Sequence, residues 1–185
     1  RLNGTTGQYY FDRKGNDTYN DNMTGGFAYT YDLTGKDTYE ADNGGILYTH
    51  DFAGNDIYSA KSNTETTTRF IARDFAGNDD YSIKTKAQFD IVDYKGNDKY
   101  SVEENAAADY CDNTIEDGKG NDAYTLYDAK VTVKDYTGKD TYTIYCETDG
   151  VHTNDMLGYD KYNILSATSD EHGNDDEEDD EHTHD

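Results

Sequence analysis

The stretch Asp12-Arg13-Lys14-Gly15-Asn16-Asp17-Thr18-Tyr19 decides the fold, because the chain says it nine times. The phrase is Asp, two residues, Gly, usually Asn or Lys, Asp, one residue and usually Tyr. It returns from Asp32, Asp51, Asp74, Asp93, Asp117, Asp135, Asp155 and Asp170. The starts lie 18 to 24 residues apart, and the last interval is 15. Self-similarity at this period predicts one coil of a solenoid per repeat. The expectation is an all-β chain, a parallel β-solenoid of about eight coils. Coils of such a solenoid stack about 4.8 Å apart. Every repeat Asp then lies over another Asp, which costs ~0.9 kcal/mol per neighbouring pair even in bulk water and more under partial burial. Two such columns are prohibitive unless a cation lies between the coils. The repeat therefore predicts a ligand together with a fold.

The columns are the candidate metal-ligating residues. The first is Asp12, Asp32, Asp51, Asp74, Asp93, Asp117, Asp135, Asp155 and Asp170. The second is Asp17, Asp37, Asp56, Asp79, Asp98, Asp122, Asp140, Asp160 and Asp175. Between them stands an unbroken Gly column, Gly15 through Gly173, whose constancy implies positive φ or close backbone approach. The next position is mostly Asn, which tolerates the left-handed region of a tight turn.

Strands flank the turn. Tyr19, Tyr39, Tyr58, Tyr81, Tyr100, Tyr124, Tyr142 and Tyr162 lead the strand that follows, and mostly small or aliphatic residues such as Ala41, Ile83 and Leu126 come two places later. That alternation faces both inward. A second strand precedes each first-column Asp, with inward pairs such as Leu47/Thr49, Phe70/Ala72 and Val131/Val133, and Asn113/Ile115 as the weak member. Length variation collects in the other turn, as in residues 61–68 and 103–111. The tyrosines form a stacked ladder whose hydroxyls need partners at a turn or in water.

Composition alone points the other way. Hydrophobic content is 33%, mean hydropathy is −1.10 and net charge is −24, values typical of disorder. In-register Gly and Asp override them. The acidity argues against nucleic acid and anionic membranes as partners. No apolar run approaches the ~18 residues of a membrane span. The chain begins with Arg, which is read as a processed form or a fragment. Cys111 and Cys146 fall two coils apart, a rise of about 9.6 Å against a disulfide reach under ~7 Å. A folded-over insertion at 103–111 would close that gap, so a bridge and two free thiols both stand.

The run Gly-Asn-Asp-x-Tyr resembles the second half of the repeats-in-toxin nonapeptide, Gly-Gly-x-Gly-x-Asp-x-hydrophobic-x, over about residues 12–175. Repeats of that family bind calcium and build parallel β-helices. The resemblance implies a right-handed β-roll with calcium, about one ion between neighbouring coils, held by Asp carboxylates and turn carbonyls. The chain departs from the pattern where the family's first Gly is Asp, and where apolar residues replace the Asp of the other edge. Calcium is thus expected along one edge only. The extra Asp column either supplies ligands or caps turns, and the resemblance leaves both open. Hard oxygen donors in a flexible turn suit calcium better than magnesium, and no His or Cys column offers a zinc site.

Other features compete. The segment 166–185, set apart from the solenoid of 1–165, is an acidic tail with His172, His182 and His184 and a ninth partial repeat. Phe27, Tyr29, Tyr31, Ile46 and Tyr48 form an outward stripe open to a sugar-binding reading. His50 and His152 are isolated, and no constellation for catalysis stands out. The expectation is a secreted or cell-surface, non-enzymatic calcium solenoid with a structural role. Its partners are expected to be other copies joined head to tail through calcium, or a cell-surface or matrix polysaccharide. The alternatives are a calcium-triggered folding module of a larger secreted toxin, adhesin or polysaccharide-modifying enzyme, and a carbohydrate-binding module.

Overall fold

The computed structural model describes residues 7–21, 26–42, 44–62, 68–84, 87–103, 113–146, 151–155 and 158–166. They form a parallel β-solenoid of two sheets, each of eight strands. One sheet holds β1 (Gln8–Phe11), β3 (Phe27–Asp32), β5 (Ile46–Asp51), β7 (Arg69–Asp74), β9 (Gln88–Asp93), β11 (Thr114–Asp117), β13 (Val131–Asp135) and β15 (Val151–Asp155). The other holds β2 (Thr18–Asp21), β4 (Thr38–Ala41), β6 (Ile57–Lys61), β8 (Asp80–Lys84), β10 (Lys99–Glu103), β12 (Ala123–Tyr127), β14 (Thr141–Cys146) and β16 (Lys161–Ser166). The chain alternates between them, so each strand pairs with the strand two places along.

Register is kept column by column. Tyr39 pairs with Tyr58, Tyr81 with Tyr100 and Tyr124 with Tyr142. In the first sheet Asp51 pairs with Asp74 and Asp93 with Asp117. Repeats of unequal length still meet in register, since their length differences fall between a strand of the second sheet and the next strand of the first. The Gly turn is itself a ladder. Gly35 N–H donates to Ala53 O at 3.2 Å, Gly77 N–H to Lys95 O at 3.0 Å and Gly96 N–H to Lys119 O at 2.9 Å. A turn bonded to its copy cannot slip, and a one-residue slip would turn every core side chain outward.

The core is the thin space between the sheets. Tyr39, Tyr58, Tyr81, Tyr100, Tyr124 and Tyr142 are buried, and their rings stack 4.6–4.9 Å apart with tilts of 5–7°. Leu47, Phe70, Phe89, Ile91, Ile115 and Val133 meet them from the first sheet. Asn113, the weak member, is buried with its carboxamide bonded to Phe89 N–H and Lys130 O, which explains a polar residue there. At the last described rung the same columns open: Tyr162 is 44% and Ile164 68% exposed.

Burial depth along the stack sets the cost of truncation. Tyr100→Ala removes a ring with neighbours on both sides and is expected to cost about 3–5 kcal/mol. Tyr162→Ala is expected to cost less than half as much. Urea unfolding midpoints under one solution condition measure the difference.

Candidate metal centre

Asp32, Asp51, Asp74, Asp93, Asp117, Asp135 and Asp155 each end a strand of the first sheet, and each second-column Asp from Asp17 to Asp160 precedes a strand of the second, so the Gly turn carries both. Asp32, Asp51, Asp74, Asp93, Asp117 and Asp135 are buried, as are Asp37, Asp56, Asp79, Asp98, Asp122 and Asp140. The two columns have different duties.

From Asp32 to Asp93 a first-column Asp is held from two sides. Its Oδ1 caps its own turn, as Asp51 Oδ1 accepts from Ala53 N–H at 3.0 Å and Asp93 Oδ1 from Lys95 N–H at 3.0 Å, whereas the Oδ1 atoms of Asp117 and Asp135 are buried without a hydrogen bond. The first-column Oδ2 accepts the phenol of the preceding coil, as in Tyr39–Asp51 at 2.6 Å, Tyr81–Asp93 at 2.9 Å and Tyr100–Asp117 at 2.6 Å. The core ladder and the acidic edge are thus one network, and the tyrosine hydroxyls find the turn they required.

A second-column Asp reaches backward. Asp56 Oδ1 accepts from Asp37 N–H at 2.5 Å, Asp98 Oδ1 from Asp79 N–H at 2.7 Å and Asp140 Oδ1 from Asp122 N–H at 2.7 Å. The Oδ2 atoms of Asp37, Asp56, Asp79, Asp98 and Asp122 are buried and accept no hydrogen bond. A buried carboxylate oxygen left unpaired costs several kcal/mol if it stays charged. Five such atoms in one line mark a place for a cation.

The carboxylates converge in threes across each coil interface. Among the groups are Asp17, Asp32 and Asp37; Asp37, Asp51 and Asp56; Asp56, Asp74 and Asp79; Asp79, Asp93 and Asp98; and Asp98, Asp117 and Asp122. Within each, one oxygen per residue lies within 4.8 Å of the others. The first column therefore does both things left open by the sequence, capping turns and placing an oxygen in the cluster. Asp12 is seen capping Lys14 N–H at 2.9 Å, and Asp160 Oδ1 accepts from Asp140 N–H at 2.9 Å. The side chains of Asp155 and Cys146, together with Cys111, Asp170, Asp175 and the tail histidines, lie outside what the structure describes.

Glycine is required by space. A Cβ on Gly35 would overlap Asp37 Oδ2 and the carbonyl oxygen of Gly15, and one on Gly96 would overlap the Asp98 carboxylate and Gly77 O. Carbonyl and carboxylate oxygens converge where that Cβ would sit. Positive φ plays no part: among the described residues it occurs only at Gly44 and Asp128. The left-handed role expected for the Asn column is corrected likewise. Asn55, Asn78 and Asn97 instead accept on Oδ1 the N–H of the next coil's equivalent Asn, each at 2.9 Å. That side-chain ladder was not read from the sequence, although a column of one amide type is its signal.

Burial pushes the carboxyls up. Asp37 rises to about 6 and Asp122 to about 7, with burial the main cause and neighbouring carboxylates adding to it. Asp117 rises to about 9, through burial and the charge of Asp122. Asp74 and Asp98 shift in the same direction for the same reasons. The outward stripe of Phe27, Tyr29, Tyr31, Ile46 and Tyr48 is half-buried, its rings packed on Tyr9, His50 and Phe52.

No family model, curated protein or solved structure matches this chain. The case for a metal centre accordingly rests on its own geometry.

Two outcomes test that geometry. Gly96→Ala is expected to weaken any ion bound between Gly77 and Asp98, while Ala53→Gly, one residue before a repeat glycine, should leave it intact; a calorimetric metal titration compares them. The second is a pH dependence in a chelator. Carboxyls near 4 in the unfolded chain are raised in the folded one, so folded stability is full below about pH 4. It is lost as pH rises through the raised values of 6 to 9. Circular dichroism in EDTA should show strands at acidic pH that disappear across that window.

Proposed function

We propose that this chain is a calcium-loaded β-solenoid with a non-enzymatic, structural role outside the cell, akin to the repeats-in-toxin modules its repeat resembles. The observation that carries the reading is the series of three-carboxylate clusters with buried, unpartnered oxygens. Charge bookkeeping favours a dication. Successive clusters share their second-column Asp, so each added coil brings two carboxylates and one interface. One divalent ion per interface neutralises it. A monovalent ion leaves one negative charge per coil, and a trivalent ion adds one positive.

Calcium fits the donors best among dications, since it takes 6–8 oxygens in irregular geometry and magnesium demands an octahedron. Extracellular calcium modules work at about 10⁻⁴–10⁻³ M, which suits a chain whose folding awaits export. The acids and tyrosines that an enzyme would need are engaged in the repeat's own bonds. A head-to-tail filament extends the reading: the Tyr162 and Ile164 columns stand open at the last described rung, and the first rung of a second copy carries the same repeat. Light scattering in calcium is expected to show growth with protein concentration, and a strictly monomeric species would remove the filament.

Calcium titration of the EDTA-treated chain at pH 7.5 or thereabouts, followed by circular dichroism, tests the core claim. Strand content should appear with calcium, because ligands assembled only in the folded state make binding energy folding energy. A chain fully folded in EDTA at that pH sinks it. Asp98 belongs to two clusters and Asp17 to one of those found. Asp98→Ala should therefore lose about two ions and Asp17→Ala about one, counted by equilibrium dialysis.

A further inference from the structure

Along the Gly turns of four successive coils runs an open groove of about 710 Å³. Asn78, Asn97 and Asn121 form its spine, Lys95, Lys119 and Lys139 line it, and the remaining lining residues are Gly, Ala and Thr. All six side chains are exposed. The three lysines make no ion pair among the described residues, a state they share with Lys14, Lys36, Lys99, Lys130 and Lys161. Lys95 and Lys119 each precede a repeat glycine on neighbouring coils, and Lys139 continues the Asn column, so the lining carries three ammonium groups on a chain of net charge −24.

The charge beneath the groove depends on the metal clusters, and this inference rests on their being filled. In the folded coils Asp93, Asp98, Asp117, Asp122, Asp135 and Asp140 lie buried behind this lining, and any of them left ionised would offset the lysines. One dication per interface would neutralise both acid columns and leave the lysine charge of the folded edge uncompensated.

We propose that the metal-loaded edge binds a linear acidic polysaccharide along this groove. The lining selects the class. No aromatic ring lies in it on which a nucleic-acid base would stack. No apolar anchor lies in it of the kind that carries protein interfaces. It offers ammonium groups for carboxylates and amide donors for hydroxyls. Asn97 and Asn121 spend one amide hydrogen along the ladder, Nδ2 to Oδ1 at 3.3 Å, and keep the second for a ligand. Both donor types recur along the coils, so a polymer with one acid and several hydroxyls per unit meets them repeatedly.

The test uses the full chain and galacturonate oligomers too short to gel with calcium. Calorimetry with calcium alone first establishes metal binding; its absence would overturn both readings, and its presence isolates the groove. The calcium-loaded chain is then titrated with oligogalacturonate. Expected are binding that weakens with salt, none to neutral dextran, and at least a ~10-fold loss in the K95Q/K119Q/K139Q variant with unchanged calcium-induced circular dichroism. The K99Q variant, altered on the second sheet, should bind as the native chain does. Equal affinity of the triple variant, equal binding of dextran, or tighter binding of a single-stranded oligonucleotide of the same charge would each overturn the proposal.

Discussion

Parallel, in-register stacking allows no choice about neighbours: whatever stands at one position of a coil stands over its own kind in the next. For Tyr, Gly and Asn this is an advantage. Rings stack, backbones close on each other and amides bond in series. For Asp it is a liability that grows with each coil. At an effective dielectric of about 20, like charges ~4.8 Å apart repel by roughly 3–4 kcal/mol. The turn chemistry, the burial of the carboxylates and the raised proton affinities all follow from that single constraint.

The tyrosine column shows how the constraint reaches the core. Tyr100 is a buried hydrophobe by area and a hydrogen-bond donor to Asp117 by its tip. Substituting Phe would keep the stack and leave a buried carboxylate oxygen without its partner. Packing and site are therefore one structure. Whatever neutralises the acidic edge also fixes the rings, and a well-packed ladder holds the carboxylates within reach of a common ion. A chain of mean hydropathy −1.10 can fold this way because its polar groups are paired in columns and need no thick apolar interior.

Much of this was legible in the repeat. Period two after each turn placed Tyr and the aliphatic residues inward, and the equal spacing of Gly and Asp fixed parallel register across unequal insertions. The two Asp columns marked the edge where the carboxylates gather in clusters that could hold a metal ion. Other features were less accessible. The sequence could not say whether a first-column Asp caps a turn or faces a cation, because the answer lies in its two oxygens having different neighbours. It suggested left-handed geometry for Asn, since propensity speaks for isolated turns, whereas stacked turns offer Asn a backbone N–H from the next coil. Of the two reasons offered for Gly, close approach holds and positive φ does not: the crowding atoms are the carboxylate of the Asp two residues on and, in most coils, the glycine carbonyl of the neighbouring coil.

Asp37, Asp56, Asp79 and Asp98 each belong to two clusters. Dications held this way would alternate with shared carboxylates along the edge, like one row of ions through a salt crystal. Such a row has surface and bulk. An interior ion feels counter-charge above and below it, and a terminal ion feels it on one side. Depletion of the bath would erode the row from its tips while the middle stays ordered, until the remainder is too short to hold together and gives way at once. The sharpness of that collapse would be set by the number of coils, so repeat number would tune the threshold for such an ion without any change in the repeat itself.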